Sequence, residues 1–146
     1  MAALLDVNAL IALVDADHVG HRAIRTWFSA NQRSGWATCP LTENGMVRVL
    51  SQPAYASGQR TPAEVIEILA ALKTAFKISH EFWAEDASLT DSSLFESTLI
   101  AGSRQVTDVY LIGLAARHEA TLVTFDRKIS WHAVRGASEQ RLRVIK

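Results

Sequence analysis

Apolar positions along the chain change period several times, and each change marks an element. Ala2 to Leu5 is a short unbroken apolar run that stops at Asp6, the pattern of a buried strand. Ala9 to Val14 begins the first helical segment. From His21 to Ala30 the residues Ala23, Ile24, Trp27 and Phe28 recur at helical spacing and predict an amphipathic helix, ended by Gly35. Trp36 to Cys39 predicts a second short strand before Pro40. Thr42 to Leu50 predicts a helix with Met46, Val47 and Leu50 on one side and Glu43 in its first turn, closed by Gln52 and Pro53.

Thr61-Pro62-Ala63-Glu64 is a strong helix start: Thr61 caps, Pro62 suits the first helical position and Glu64 completes a capping box. Val65, Ile68, Leu69 and Leu72 form that helix's apolar stripe. Thr90 and Asp91 predict a further helix through Leu94, Phe95 and Leu99, stopped by Gly102. Val106-Thr107-Asp108 leads into a helix carrying Tyr110, Leu111, Leu114 and Ala115, with Thr107 as its N-cap. Thr121 to Phe125, rich in strand-forming residues, is a buried strand that ends on Asp126, and Leu142 to Ile145 is the last strand. Short apolar strands alternating with helices imply an α/β fold with a mainly parallel sheet.

Composition narrows the class. A length of 146 residues fits a single domain over residues 1–146, and 49% hydrophobic content excludes a disordered chain. No repeat, low-complexity tract or linker divides it. Fifteen basic residues balance fifteen acidic ones, so bulk charge does not draw the protein to polyanions, although a local basic face remains open. Cys39 is the only cysteine, which excludes an internal disulfide and leaves a buried thiol as the expectation. The opening Met-Ala-Ala-Leu-Leu-Asp has no basic leader, and no apolar run approaches the ~20 residues that span a bilayer. The expectation is a protein without a membrane segment, placed in the cytoplasm.

Two predicted strands end on an aspartate, Asp6 and Asp126, and two predicted helices begin with an acid, Glu43 and Asp108. In open α/β sheets, sites gather where strands end and the following helices begin. Four carboxylates there would repel one another, and a divalent cation relieves that conflict; hard oxygen ligands suit Mg²⁺ or Mn²⁺. Such an ion acidifies water and favours phosphodiester hydrolysis. Asn8, two residues after Asp6, and the hydroxyls of Thr107 and Thr124 are placed to orient the carboxylates. A plainer reading stands beside this one, in which each acid is a cap or a surface charge; Asp108 suits the helix dipole. A phosphotransfer domain also gathers aspartates at strand ends. A dehalogenase-like phosphatase, however, wants an aspartate where Asn8 stands, and no neighbouring acidic pair marks a receiver.

The blocks LLDVNALIALVD, WATCPLTENGMVRVLSQP, RQVTDVYLIGLAARH and TLVTFDRK resemble, in order and over nearly the whole chain, those of PIN-domain ribonucleases. More closely they resemble the VapC-type toxins of bacterial type II toxin–antitoxin systems. The family's acidic quartet falls on Asp6, Glu43, Asp108 and Asp126, and its Asn or Ser two residues after the first acid falls on Asn8. The resemblance implies a PIN-like three-layer sandwich, with a central mainly parallel sheet flanked by helices. It implies an endoribonuclease dependent on Mg²⁺ or Mn²⁺, cutting tRNA or rRNA to arrest translation, and a cognate VapB-like antitoxin that blocks the site. A PIN fold that has kept only antitoxin binding is the alternative, and the intact quartet opposes it.

Arg104 and Arg127, close in sequence to two of the acids, are the first candidates for RNA contact. Arg22, Arg25, Arg48, Arg117 and Lys128 are weaker ones. Trp27, Trp36, Trp83 and Trp131 are available for base stacking, although Trp27 lies on an apolar stripe. His18 and His21 share helical spacing but lack a third ligand for zinc. Apolar helix faces predict self-association as a homodimer, with an antitoxin segment added to it.

Overall fold

The computed structural model describes all 146 residues. Five strands form one sheet: β1 (Ala3–Leu5), β2 (Trp36–Thr38), β3 (His80–Phe82), β4 (Thr121–Thr124) and β5 (Leu142–Val144). Their order is β3-β2-β1-β4-β5, and every pairing is parallel. Five helices cover the sheet: α1 (Val7–Val14), α2 (His21–Asn31), α3 (Pro40–Leu50), α4 (Pro62–Ala75) and α5 (Val106–Arg117).

Side chains alternate across the strands, so the sheet feeds two cores. Ala3, Leu5, Trp36 and Val123 face one core together with residues of α1, α2, α3 and α4. Leu4, Ala37 and Leu122 face the other, with α5 and the aromatic side chains Trp83 and Phe95. Leu4, Leu5 and Leu122 are fully buried. Each contributes on the order of 1.5–3 kcal/mol of transfer free energy, which offsets part of the cost of ordering such short strands. This is the expected three-layer α/β sandwich. No helix is long and apolar enough to cross a membrane.

The chain builds β1, β2 and β3 in one direction across the sheet and then returns to place β4 on the opposite side of β1. The strand order therefore reverses between β1 and β4, and in open parallel sheets a crevice forms at that point, beyond the strands' carboxyl ends.

Several boundaries move, for local reasons. Helix α1 begins at Val7 because the Asp6 carboxylate accepts the Val7 amide and caps it. Helix α3 begins at Pro40 rather than Thr42, with the Cys39 amide bonded to the Thr42 hydroxyl. The Thr61–Glu64 capping box forms as expected. Thr107 is not the cap of α5: the helix starts at Val106, two residues earlier than that cap would place it, behind Gln105, and Thr107 is exposed in its first turn.

The helix expected from Thr90 to Leu99 does not form; only a single 3-10 turn, Ser97–Leu99, appears there. Tertiary pairing overrides its apolar spacing. Phe95 bridges Val134 in antiparallel fashion, Glu96 donates its amide to the Ala133 carbonyl, and the Arg135 amide donates to Leu94. Asp91 turns its carboxylate onto Ser93 instead of capping a helix. The Phe95 ring lies against Gly113 of α5, where a Cβ would come within 2.3 Å of it. Strand β3 was not expected, since His-Glu-Phe has neither an apolar run nor a turn signal to mark it.

Candidate active site

Asp6 leaves β1 at the point where strand order reverses, and it is 7% exposed. Its Oδ1 accepts the Val7 amide at 2.7 Å and its Oδ2 accepts the Thr124 hydroxyl at 2.7 Å. Burial pushes its pKa up despite these two stabilising bonds, and the charge of Asp126 pushes it further.

Thr124, at the end of β4, is the hub of the crevice. Its oxygen donates to Asp6, accepts Asn8 Nδ2 at 3.0 Å and accepts the Asp126 amide at 3.1 Å. A hydroxyl has one proton and two lone pairs, so Thr124 is saturated. Asn8 spans the gap with its other end, where Oδ1 accepts the Phe125 amide at 3.1 Å. One asparagine thus ties the first turn of α1 to the segment leaving β4. Asp126 bends back at once, its Oδ1 accepting the Lys128 amide at 2.8 Å in an Asx turn.

Asp108 reaches the same crevice from the first turn of α5. Burial, then the charges of Asp6 and Asp126, push its pKa up to about 6. A helix N-terminus by itself stabilises a carboxylate, so here desolvation and like-charge repulsion outweigh the dipole. Asp6, Asp108 and Asp126 are therefore one electrostatically coupled group, drawn from β1, α5 and the end of β4.

Glu43 stands apart from them. It occupies the first turn of α3, and its Oε2 accepts both the Thr38 hydroxyl, at 2.5 Å, and Lys73 Nζ of α4, at 2.9 Å. Thr38 in turn meets His80 Nε2 at 2.9 Å. Because the Thr38 proton goes to Glu43, the His80 nitrogen is the donor in that contact. Burial and the Lys73 charge hold the His80 pKa down, which fits a neutral ring. As the side chains stand, no three His, Cys, Asp or Glu groups converge enough to hold a metal ion.

The donor set nonetheless fits a hard divalent cation. It consists of carboxylate oxygens alone, and the aspartates repel one another, Asp6 buried and Asp108 and Asp126 half-buried, with no basic side chain in contact with them. A cation between Asp6, Asp108 and Asp126 would relieve that repulsion, whereas Glu43 already has Lys73 as its cation.

The remaining expectations divide. Asn8 and Thr124 contact the cluster, whereas the exposed Thr107 makes no hydrogen bond to it. Arg104 and Arg127 are exposed and form no ion pair, which leaves both guanidiniums available to phosphate. His18 accepts the Gly20 amide and His21 meets the Ala12 carbonyl, so neither is turned toward a shared ion. Trp36 and Trp83 are buried and offer no face to a base. Cys39 is buried, and desolvation pushes its thiol up. Sequence reasoning missed Thr38, Lys73 and His80. Nothing in the local pattern marks Lys73, which looks like any basic residue in the last turn of a helix.

Residues 3–134 match the family model of the PIN domain. The chain is 46% identical over 143 residues to ribonuclease VapC44 of Mycobacterium tuberculosis, covering 97% of this chain and 98% of that one. It is 48% identical over 124 residues to ribonuclease VapC38 of the same organism, covering 85% and 84%. Among solved structures, VapBC2 from Rickettsia felis bound to a DNA fragment from its promoter shares the fold. Its TM-score is 0.59 at 16% identity, with 88% of this chain and 90% of that chain covered. VapC20 of M. tuberculosis, a Sarcin-Ricin loop cleaving toxin, aligns with a TM-score of 0.57 at 12% identity, covering 86% and 91%.

Proposed function

The chain belongs to the PIN-domain family, and from that premise we propose that it is the endoribonuclease toxin of a type II toxin–antitoxin pair, with its active site at Asp6, Glu43, Asp108 and Asp126. The observation that carries the site assignment is that burial, together with the neighbouring charge of Asp126, raises Asp6 and Asp108, with Asp6 and the Asp126 amide both anchored on Thr124. A structural role alone gives no reason to gather carboxylates that resist ionisation.

Mg²⁺ or Mn²⁺, when bound, supplies a water acidic enough to attack phosphorus near neutral pH and neutralises charge on the phosphate. Asp6, Asp108 and Asp126 would hold that ion, and Glu43 would complete the set. Thr124 keeps Asp6 in one rotamer by donating to Oδ2, which leaves the other lone pairs of that carboxylate for ligation. Asn8 holds α1 against the segment carrying Asp126, fixing the separation between the two strand ends. Arg104 and Arg127, exposed, unpaired and close in sequence to Asp108 and Asp126, are the groups offered to the RNA phosphates.

The substrate is tRNA or rRNA, and cutting it arrests translation. A VapB-like antitoxin restrains the enzyme, residues 1–146 act as one domain, and the toxin self-associates as a homodimer in the cytoplasm. Support comes from the relatives named as ribonucleases and from the fold shared with the R. felis VapBC2 complex. Brief expression without antitoxin, followed by mapping of new RNA 5′ ends, tests the activity and names the substrate. New ends at a few defined sites, absent with Asp108→Asn, are the expected result; an unchanged map sinks the proposal.

A further inference from the structure

We propose that Phe82 is a stacking platform for a nucleobase of the RNA, set beside the acidic crevice by Lys73; this rests on the ribonuclease reading above. Phe82 ends β3 and is 53% exposed. It is in register with Thr38 of the neighbouring parallel strand, so the two side chains share one side of the sheet. Thr38 is the residue whose hydroxyl holds Glu43. Lys73 Nζ sits 2.9 Å from the Glu43 carboxylate and 4.9 Å from the centroid of the Phe82 ring. One ammonium therefore links the carboxylate and the aromatic ring.

That arrangement does two things. The cation–π contact fixes the orientation of an exposed ring that would otherwise sample several rotamers, lowering the entropic cost of stacking a base on it. Strand β3 is the sheet's edge, with no strand beyond it, so a flexible strand of RNA has open access from that side. Phe82 lies two strands from β1, roughly 10 Å across the sheet, which suits a nucleotide flanking the crevice rather than the one being cut. Other exposed apolar side chains lack this setting. Val19 and Ile78 are more exposed but aliphatic, and Ile78 precedes the amino end of β3, away from the rim. Single-stranded RNA is recognised largely by stacking its unpaired bases on aromatic side chains.

The test uses the full chain in chelator, where RNA stays intact, and a fluorescein-labelled single-stranded oligoribonucleotide whose anisotropy reports binding. Wild type, Phe82→Trp, Phe82→Leu and Phe82→Ala are compared across several salt concentrations, with thermal melting to verify folding. Stacking on an aromatic residue predicts that Phe82→Leu and Phe82→Ala weaken binding roughly five- to hundred-fold, while Phe82→Trp keeps it. The slope of affinity against salt stays unchanged, because no phosphate contact is lost. Wild-type affinity in Phe82→Leu overturns the proposal, as does the absence of measurable binding by the wild type. The two readings separate cleanly. Aromatic-dependent binding without cleavage in Mg²⁺ or Mn²⁺ keeps the platform and removes the ribonuclease. Cleavage with aromatic-independent binding does the reverse.

Discussion

Thr124 donates its hydroxyl hydrogen to Asp6 at 2.7 Å although 118 positions separate them in the chain. The same oxygen accepts from Asn8 and from the Asp126 amide, so one hydroxyl fixes two strand ends and an acid. Replacing Thr124 by Val keeps the volume and removes every one of these bonds. We expect divalent-ion affinity and RNA cleavage to fall about 10- to 100-fold, the usual effect of removing a ligand's orienting partner. The apo protein is expected to lose about 1–3 kcal/mol, because Asp6 stays buried with one donor fewer. Thr124→Ser, which restores the hydroxyl, recovers both readings. Calorimetric Mn²⁺ titration and thermal melting check them.

Asp108 gives the metal-free protein a pH signature. Its carboxyl titrates near 3.8 in the unfolded chain and at about 6 in the folded one. Between those values the folded protein holds more protons, so its stability falls as pH rises through that window and levels off above it. Asp108→Asn removes this loss. In chelator, its melting temperature relative to wild type climbs from pH 4 to pH 6 and is constant beyond. The full effect is at most about 3 kcal/mol before solvent screening reduces it. A flat difference over that range contradicts the electrostatic coupling. Divalent affinity, conversely, strengthens with rising pH through about 6, since the ion must displace the Asp108 proton.

Lys73 neutralises Glu43 in the absence of metal. Lys73→Met leaves that carboxylate without its cation, and Mn²⁺ then binds several-fold more tightly, because the ion no longer competes with the ammonium. Stability changes little, on the order of 1 kcal/mol or less, as the pair is only half-buried. Unchanged ion affinity in Lys73→Met, measured by calorimetry, places Glu43 outside the metal site.

What the sequence revealed follows from how local each signal is. The strands β1, β4 and β5 and the helices α2 and α4 announce themselves through unbroken apolar runs or through spacing and caps within a few residues. Each acid of the quartet could be assigned to a strand end or a helix start on those grounds. The segment around Phe95 was misread because its apolar residues mimic helical spacing while its backbone partners lie some forty residues later, at Ala133 to Arg135. Strand β3 escaped because an exposed edge strand of three residues has neither period nor burial to display. Lys73 was invisible for a related reason: its partner Glu43 is 30 positions away, and only folding brings α3 against α4.

Gly113 tests the misread segment. Its missing side chain leaves room for the Phe95 ring, which a Cβ would approach to 2.3 Å. Gly113→Ala gains helix propensity yet forces Phe95 from the core, and a net destabilisation of about 1–3 kcal/mol is expected. Pairing it with Phe95→Leu recovers part of the loss, giving a non-additive double-mutant cycle. Additive effects in melting experiments mean the two residues do not meet.

The most direct test of the acidic site is cleavage of cellular RNA by purified wild type and by Asp6→Asn, Asp108→Asn and Asp126→Asn, each verified as folded. The assay runs in chelator and then with Mg²⁺ or Mn²⁺ restored. Wild type is expected to cut only after the ion is added, and none of the three variants to cut under either condition. Undiminished cutting by the variants, or cutting by wild type in chelator, contradicts that expectation.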